Sequence, residues 1–66
     1  MIAKLTGTID EIGTDNIVLD VQGVGYLVFC SSRTIAAIGG IGDGATIYTE
    51  MQVSETDMRL MGFASG

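Results

Sequence analysis

The 66-residue chain contains no histidine, a single cysteine and only three basic residues. Without histidine it cannot form a Ser-His-Asp or Cys-His catalytic site, and a zinc site of clustered cysteine and histidine is also excluded. Because Cys30 has no partner in the sequence, no intrachain disulfide can form, which fits a reducing compartment. We therefore expect no catalytic residues, no metal site and no cofactor, and no enzyme activity from the chain alone.

Long apolar runs are missing as well. The opening residues MIAKLTG carry only Lys4 as a charge, and no apolar core of signal-peptide length follows them. No stretch of about 18 apolar residues occurs, so no membrane-spanning helix is predicted. We expect a cytoplasmic protein without a membrane partner.

Acidic residues dominate the charge, since eight Asp and Glu against three Lys and Arg give a net charge of −5. A module that binds phosphates by itself is usually basic, and this one is not. Hydrophobic residues make up 47% of the chain. Because so short a chain buries only about 60% of its unfolded surface, this apolar supply predicts that another protein surface covers part of it.

Alternation of apolar and polar residues predicts five strands. In chain order the predicted strands are residues 3–12, 16–21, 26–30, 45–53 and 58–63. In the first, second and fourth strands the apolar residues fall on one face. The third, YLVFC, is apolar on both faces, which predicts a central strand or one covered on both sides.

A short helix is predicted between the third and fourth strands. Ile35, Ala36 and Ile38 recur there at helical spacing. A serine at position 31 or 32 can cap its first turn, and a glycine at 39 or 40 can end it.

This order of elements predicts an all-β fold. A small five-stranded OB-fold Greek-key barrel carries one short helix between strands 3 and 4, as the sequence does. We expect residues 1–63 to form this domain. Residues 64–66 are predicted to begin a connector to further domains.

Several other segments have a structural and a functional interpretation. GGIGDG, residues 39–44, lacks the lysine of a P-loop and follows a helix, so a turn is favoured over phosphate binding. GVGY, residues 23–26, is predicted to form a tight turn or bulge. Phe29 and Phe63 are predicted in the core, whereas Tyr26 and Tyr48 could line a groove that stacks bases. Four acids lack the spacing of a calcium loop and are predicted to be solvated: Asp10, Glu11, Asp15 and Asp20.

The acidic segment Ser54-Glu55-Thr56-Asp57 connects the fourth and fifth predicted strands. In an OB-fold this loop is one of the two that touch oligonucleotides, and binders place Lys or Arg there. Two interpretations remain open. The segment is a solvent-facing turn with Asx-type hydrogen bonds, or its carboxylates are held near phosphates by attraction exerted elsewhere.

Three separated motifs resemble the N-terminal domain of the RuvA family of Holliday-junction proteins. They are MIAKLTGTI at the start, VQGVGYLVF in the middle and VSETDMRLMGF at the end, and the resemblance spans residues 1–63 in one register. It implies an OB-fold first domain of a homotetramer that holds a four-way DNA junction open and flat.

The resemblance also implies partners that this domain does not contain. A second domain with helix-hairpin-helix motifs binds the DNA backbone, and a third engages RuvB, the ATP-driven motor of branch migration. The domain is then no enzyme on its own, although the full complex with RuvB acts as an ATP-dependent DNA helicase in recombination and repair.

The family carries an acidic pin on this domain, near the junction centre. Glu55 falls on one pin position, Thr56 occupies the adjacent position that is usually a second acid, and Asp57 comes one residue later. Ser54 replaces a frequent Arg. The resemblance thus implies Glu55 and Asp57 as junction-shaping residues that push phosphates apart. The alternatives are a generic oligonucleotide-binding OB module and a plain oligomerisation module.

Overall fold

A computed structural model describes residues 3–64 of the chain. The predicted connector at 64–66 lies, beyond Ala64, outside the described residues. The elements in chain order are β1 (Lys4–Ile12), β2 (Asn16–Val21), β3 (Val24–Cys30), α1 (Ser32–Ile38), β4 (Gly44–Val53) and β5 (Met58–Phe63). This is the predicted order, with β3 beginning two residues earlier than the sequence pattern indicated.

The five strands close into a barrel in the order β1-β2-β3-β5-β4. β1 pairs antiparallel with both β2 and β4. β3 and β5 pair in parallel, and α1 lies in the connection from β3 to β4. The prediction of a five-stranded Greek-key barrel with one helix is confirmed.

The barrel interior is filled by side chains that alternate along the strands. The predicted inward faces of β1, β2 and β4 are the buried ones, and Thr49 joins them as the buried polar residue. The buried apolar residues are Leu5, Ile9, Ile17, Leu19, Val28, Cys30, Ile47 and Leu60. Burial raises the pKa of the Cys30 thiol because the thiolate would lose its hydration.

β5 passes very close to the core at Gly62. A Cβ at this position would lie 2.5 Å from Val28 Cγ1, 2.8 Å from Ile47 Cγ2 and 3.0 Å from Cys30 Sγ. No side chain fits there without displacing the core, so glycine allows the backbone of β5 to lie directly against β3 and β4. The base of the β4–β5 hairpin is thereby fixed to the barrel.

The helix begins and ends as the sequence predicts. Ser31 is the N-cap, and its hydroxyl accepts a hydrogen bond of 3.1 Å from the Thr34 amide. The helix stops before Gly39, whose φ of 112° favours glycine. Ile35 and Ile38 pack against the core. Over residues 3–64, the chain forms no helix with the length and apolar character that crossing a membrane requires.

The glycine-rich segment after the helix is tied to β1. The Gly42 amide donates to the Ile9 carbonyl at 2.8 Å, and the Ile9 amide donates to the Asp43 carbonyl at 2.9 Å. The Asp43 carboxylate accepts from the Gly40 amide at 2.8 Å. These amides bind the protein itself, which confirms the structural interpretation of GGIGDG.

The prediction that Phe29 and Phe63 lie in the core is wrong. Both are on the outer face, where Phe63 is 44% exposed and Phe29 is half-buried. The core residues of β3 and β5 occupy the alternate positions, and successive side chains of a strand point to opposite faces. β3 is central, as predicted, but its outer residue Leu27 is 52% exposed within this chain.

Candidate functional site

Within residues 3–64, the β4–β5 hairpin extends beyond the neighbouring strands. In that range the register of β1 with β4 ends at Lys4 and Tyr48, the Thr49 amide donates to the Ala3 carbonyl at 3.0 Å, and the residues from Glu50 to Val53 pair with β5. β5 in turn is registered with β3 only at Met61 and Gly62. The loop between β4 and β5 therefore stands clear of the barrel wall.

The loop is closed by Ser54 and Asp57. The Ser54 amide donates to the Asp57 carbonyl at 2.8 Å, and the Ser54 hydroxyl approaches the same oxygen at 3.3 Å. Glu55 and Thr56 lie between these two residues and form the tip. All four side chains are exposed. The four exposed side chains fit the solvent-facing turn, but the hydroxyl contact is not of the predicted Asx type, because a serine hydroxyl donates to a carbonyl here.

The two carboxylates of the loop have different surroundings. Asp57 Oδ2 accepts a hydrogen bond of 2.6 Å from Arg59 Nε, and this is the ion pair found within residues 3–64. The Arg59 hydrogen bond lowers the pKa of the Asp57 carboxyl, and the same bond raises the pKa of Arg59. Glu55 takes part in no hydrogen bond or ion pair among the described residues.

Strand geometry explains why Arg59 reaches Asp57. Residues two apart in an extended segment point to the same side; Arg59 is on the outer face of β5, and Asp57 lies in the loop directly before this strand. The guanidinium of Arg59 also lies over the ring of Phe29, with its Cζ 4.9 Å from the ring centroid. The sequence prediction considered only the four loop residues and missed Arg59, although an acid and a base two positions apart were a usable signal.

A depression of about 390 Å³ lies beside the hairpin. Its lining residues are Gln52, Val53, Ser54, Thr56, Asp57 and Arg59. It offers the Arg59 guanidinium, the Asp57 carboxylate and several neutral polar groups, while Glu55 is not among the lining residues. In the part of the chain that the structure describes, no group of three or more His, Cys, Asp or Glu is arranged to hold a metal ion.

Comparison with known proteins identifies the family. The family model described as the RuvA N terminal domain matches residues 1–62 of this chain. The chain belongs to the RuvA N-terminal domain family. The resemblance of the three sequence motifs to RuvA is thereby confirmed.

Named RuvA relatives match almost the whole chain. The Holliday junction branch migration complex subunit RuvA of Erythrobacter litoralis is 64% identical over 64 residues, covering 97% of this chain and 32% of that protein. The subunit of the same name from Novosphingobium aromaticivorans is 60% identical over 65 residues, covering 98% of this chain and 32% of the relative. That of Sinorhizobium fredii is 55% identical over the same length.

The chain spans about a third of the length of these RuvA relatives. The match therefore concerns the N-terminal domain and leaves the rest of the relatives unmatched. The assignment of Glu55 and Asp57 as a RuvA acidic pin stays a prediction.

Proposed function

We propose that this chain acts as the N-terminal domain of a RuvA-type subunit in a Holliday junction branch migration complex. In this role it shapes a four-way DNA junction and is no enzyme by itself. Membership of the RuvA N-terminal domain family supports the proposal, as do the names of the relatives. The observation that carries it is the carboxylate of Glu55, which is exposed at the tip of the hairpin and has no hydrogen-bond or ion-pair partner within residues 3–64.

The tip acts on DNA by repulsion. Two unit charges about 4 Å apart interact by about 1 kcal/mol in bulk water and by about 4 kcal/mol near a protein surface. Salt screens this interaction beyond roughly 8–10 Å. Glu55 therefore acts only on phosphates close to the tip, and it favours strands that separate around it.

The attraction that holds the junction comes from other parts of the full-length subunit. This domain has a net charge of −5 and three cations, so it is a poor phosphate-binding surface. The connector predicted at residues 64–66 leads to domains that bind the DNA backbone and, through RuvB, couple ATP hydrolysis to branch migration. In this proposal the other domains bind the DNA, and the acidic residues of this domain determine the path of the DNA strands by repulsion.

Exposed apolar residues on the outer face support assembly into a homotetramer. Tyr48 of β4 and Phe63 of β5 are opposite each other in register, and they are 40% and 44% exposed. Leu27 of β3 is 52% exposed on the same side of its strand as Phe29. Packing against another subunit would remove this apolar surface from water. A monomeric mass of the full-length protein in light scattering would contradict this part of the proposal.

The test is the substitution Glu55→Gln in the full-length protein. We expect it to bind a four-way junction at least as tightly as wild type, because a repulsive charge is lost. Branch migration with the motor should change, because strand separation at the tip is weakened. Binding is measured by fluorescence anisotropy at fixed salt, and branch migration by the release of labelled arms.

Glu11→Gln is the matched control. Glu11 is exposed and loses the same charge, but it lies on β1 beyond Thr8, which pairs with Gly44 at the opposite end of β4. If Glu55→Gln leaves both binding and branch migration at wild-type values, the tip has no junction-shaping role. Binding of the 66-residue chain alone to single-stranded DNA at physiological salt would favour a generic oligonucleotide-binding module instead.

A further inference from the structure

Arg59 is the only cation of the β4–β5 hairpin. A guanidinium is a good phosphate ligand because its planar set of donors matches phosphate oxygens. Arg59 lies four residues from Glu55 and is 55% exposed. A DNA backbone that approaches the tip therefore comes within reach of a group that attracts it.

Two contacts on the outer face hold the Arg59 side chain in place. Asp57 binds its Nε at 2.6 Å, and the ring of Phe29 lies beneath the guanidinium. Phe29 is in register with Met61, which is two residues further from the loop than Arg59. Asp15 adds a weaker attraction at longer range. The guanidinium is thus held between Asp57 on the side of the loop and Phe29 on the side of the barrel.

Loss of Asp57 would remove the direct bond that orients this guanidinium. A phosphate near the loop could then take the place of the carboxylate as the partner of Arg59. A guanidinium bound to a phosphate beside Glu55 would offset the repulsion of that carboxylate. It would also add a contact that must break whenever the DNA moves.

We propose that Asp57 is a positioning residue that keeps Arg59 from binding DNA phosphates, so that Glu55 alone supplies the repulsive charge of the tip. This inference rests on the proposed function, because it assigns different roles to the two acids of the junction-facing loop: Glu55 repels phosphates and Asp57 positions Arg59. The competing interpretation is that Asp57 is a second repulsive charge that acts independently of Arg59. The two interpretations differ in whether the effect of losing Asp57 depends on Arg59.

The experiment compares four forms of the full-length protein: wild type, Asp57→Asn, Arg59→Gln and the double variant. The dissociation constant for a four-way junction is measured from about 50 to 200 mM salt, where each phosphate contact adds about 0.9 to the log–log slope. We expect Asp57→Asn to bind more tightly and to gain one contact. Its affinity should then fall about 3.5-fold more than that of wild type over this range.

The Arg59→Gln background decides the outcome. In that background, Asp57→Asn should leave the slope of log dissociation constant against log salt unaltered. The double variant has the same net charge as wild type, and we expect it to keep the wild-type slope. An equal change in affinity and slope in both backgrounds would overturn the inference. Both side chains are about half exposed, so neither substitution removes a core residue.

Glu55→Gln in the same assay separates this inference from the proposed function. Glu55→Gln could alter junction binding or branch migration while the effects of Asp57→Asn and Arg59→Gln on junction affinity simply add in the double variant. In that case the proposed function stands and the role of Asp57 fails. If Glu55→Gln has no effect while Asp57 and Arg59 remain coupled, the junction-shaping tip fails and the positioning role stands.

Discussion

Two hairpin loops of the same barrel differ in whether the carboxylate of an acidic residue is hydrogen-bonded within the turn or exposed at its tip. The β2–β3 connection is a two-residue turn between the paired Val21 and Val24, with positive φ at both Gln22 and Gly23, the signature of a type I′ turn. The carboxylate of Asp20 accepts a hydrogen bond of 2.8 Å from the Gly23 amide. The turn is therefore closed and satisfied by its own residues.

The β4–β5 loop is longer and leaves a charge unused. Its closing bond joins Ser54 to Asp57, and Asp57 is paired with Arg59. Glu55 at the tip is exposed and has no partner among the residues that the structure describes. The difference teaches that the role of a carboxylate depends on what it binds. The acid of the first hairpin stabilises the fold, whereas Glu55 is available for an external partner.

The largest effect expected from this comparison concerns the turn conformation. Gly23 has a φ of 88°, and Gly23→Val should lower the free energy of unfolding by about 1–3 kcal/mol because a β-branched residue is strained there. Thr56→Val, at the tip of the other hairpin, should change it by less than about 0.5 kcal/mol. Urea unfolding of the chain measures both. Equal losses would mean that the two loops contribute alike to stability.

A smaller effect is expected from the acid of the first turn. Asp20→Ala removes the acceptor of the Gly23 amide and should lower the free energy of unfolding by about 0.5–1.5 kcal/mol. Asp20→Asn keeps an oxygen acceptor and should lose less. Glu55→Gln should leave thermal unfolding unaltered. A destabilised Glu55→Gln variant would indicate that the tip acid serves the fold as Asp20 does.

The smallest effect concerns the exposed pair of Asp57 and Arg59. Because Arg59 lowers the pKa of Asp57 in the folded chain, the pair contributes its full stability above the unfolded aspartate pKa of about 3.9. That contribution is lost as the pH falls through the lower folded pKa. The stabilities of wild type and Arg59→Gln should therefore differ slightly near neutral pH and converge in acid. A difference that persists in acid would show that Arg59 stabilises through Phe29 instead.

Most of the fold could be predicted from alternation. In β1 and β4, residues such as Leu5, Ile9 and Ile47 alternate with residues of more polar character, so one face was identifiable as the core. β3 and β5 carry apolar residues on both faces, and alternation cannot then say which face is inside. For this reason Phe29 and Phe63 were assigned to the core although they lie outside.

The candidate site was predictable only in part. The polar run between two strands identified the loop and Glu55 at its tip. The Asp57–Arg59 pair joins the last loop residue to a residue two positions further along the chain, which is local information. The contact of Arg59 with Phe29 depends on the parallel pairing of β3 with β5, and no local pattern contains that pairing.

The absence of a side chain at Gly62 has a mechanical consequence. The β4–β5 hairpin is anchored to the barrel where Gly62 meets Val28 and Ile47, and its other end, at Glu55, lies far from this anchor. A force on the tip at Glu55 is transmitted along the paired strands β4 and β5 to the barrel. The close packing at Gly62 thus determines how rigidly the Glu55 carboxylate is held when a force acts on the tip.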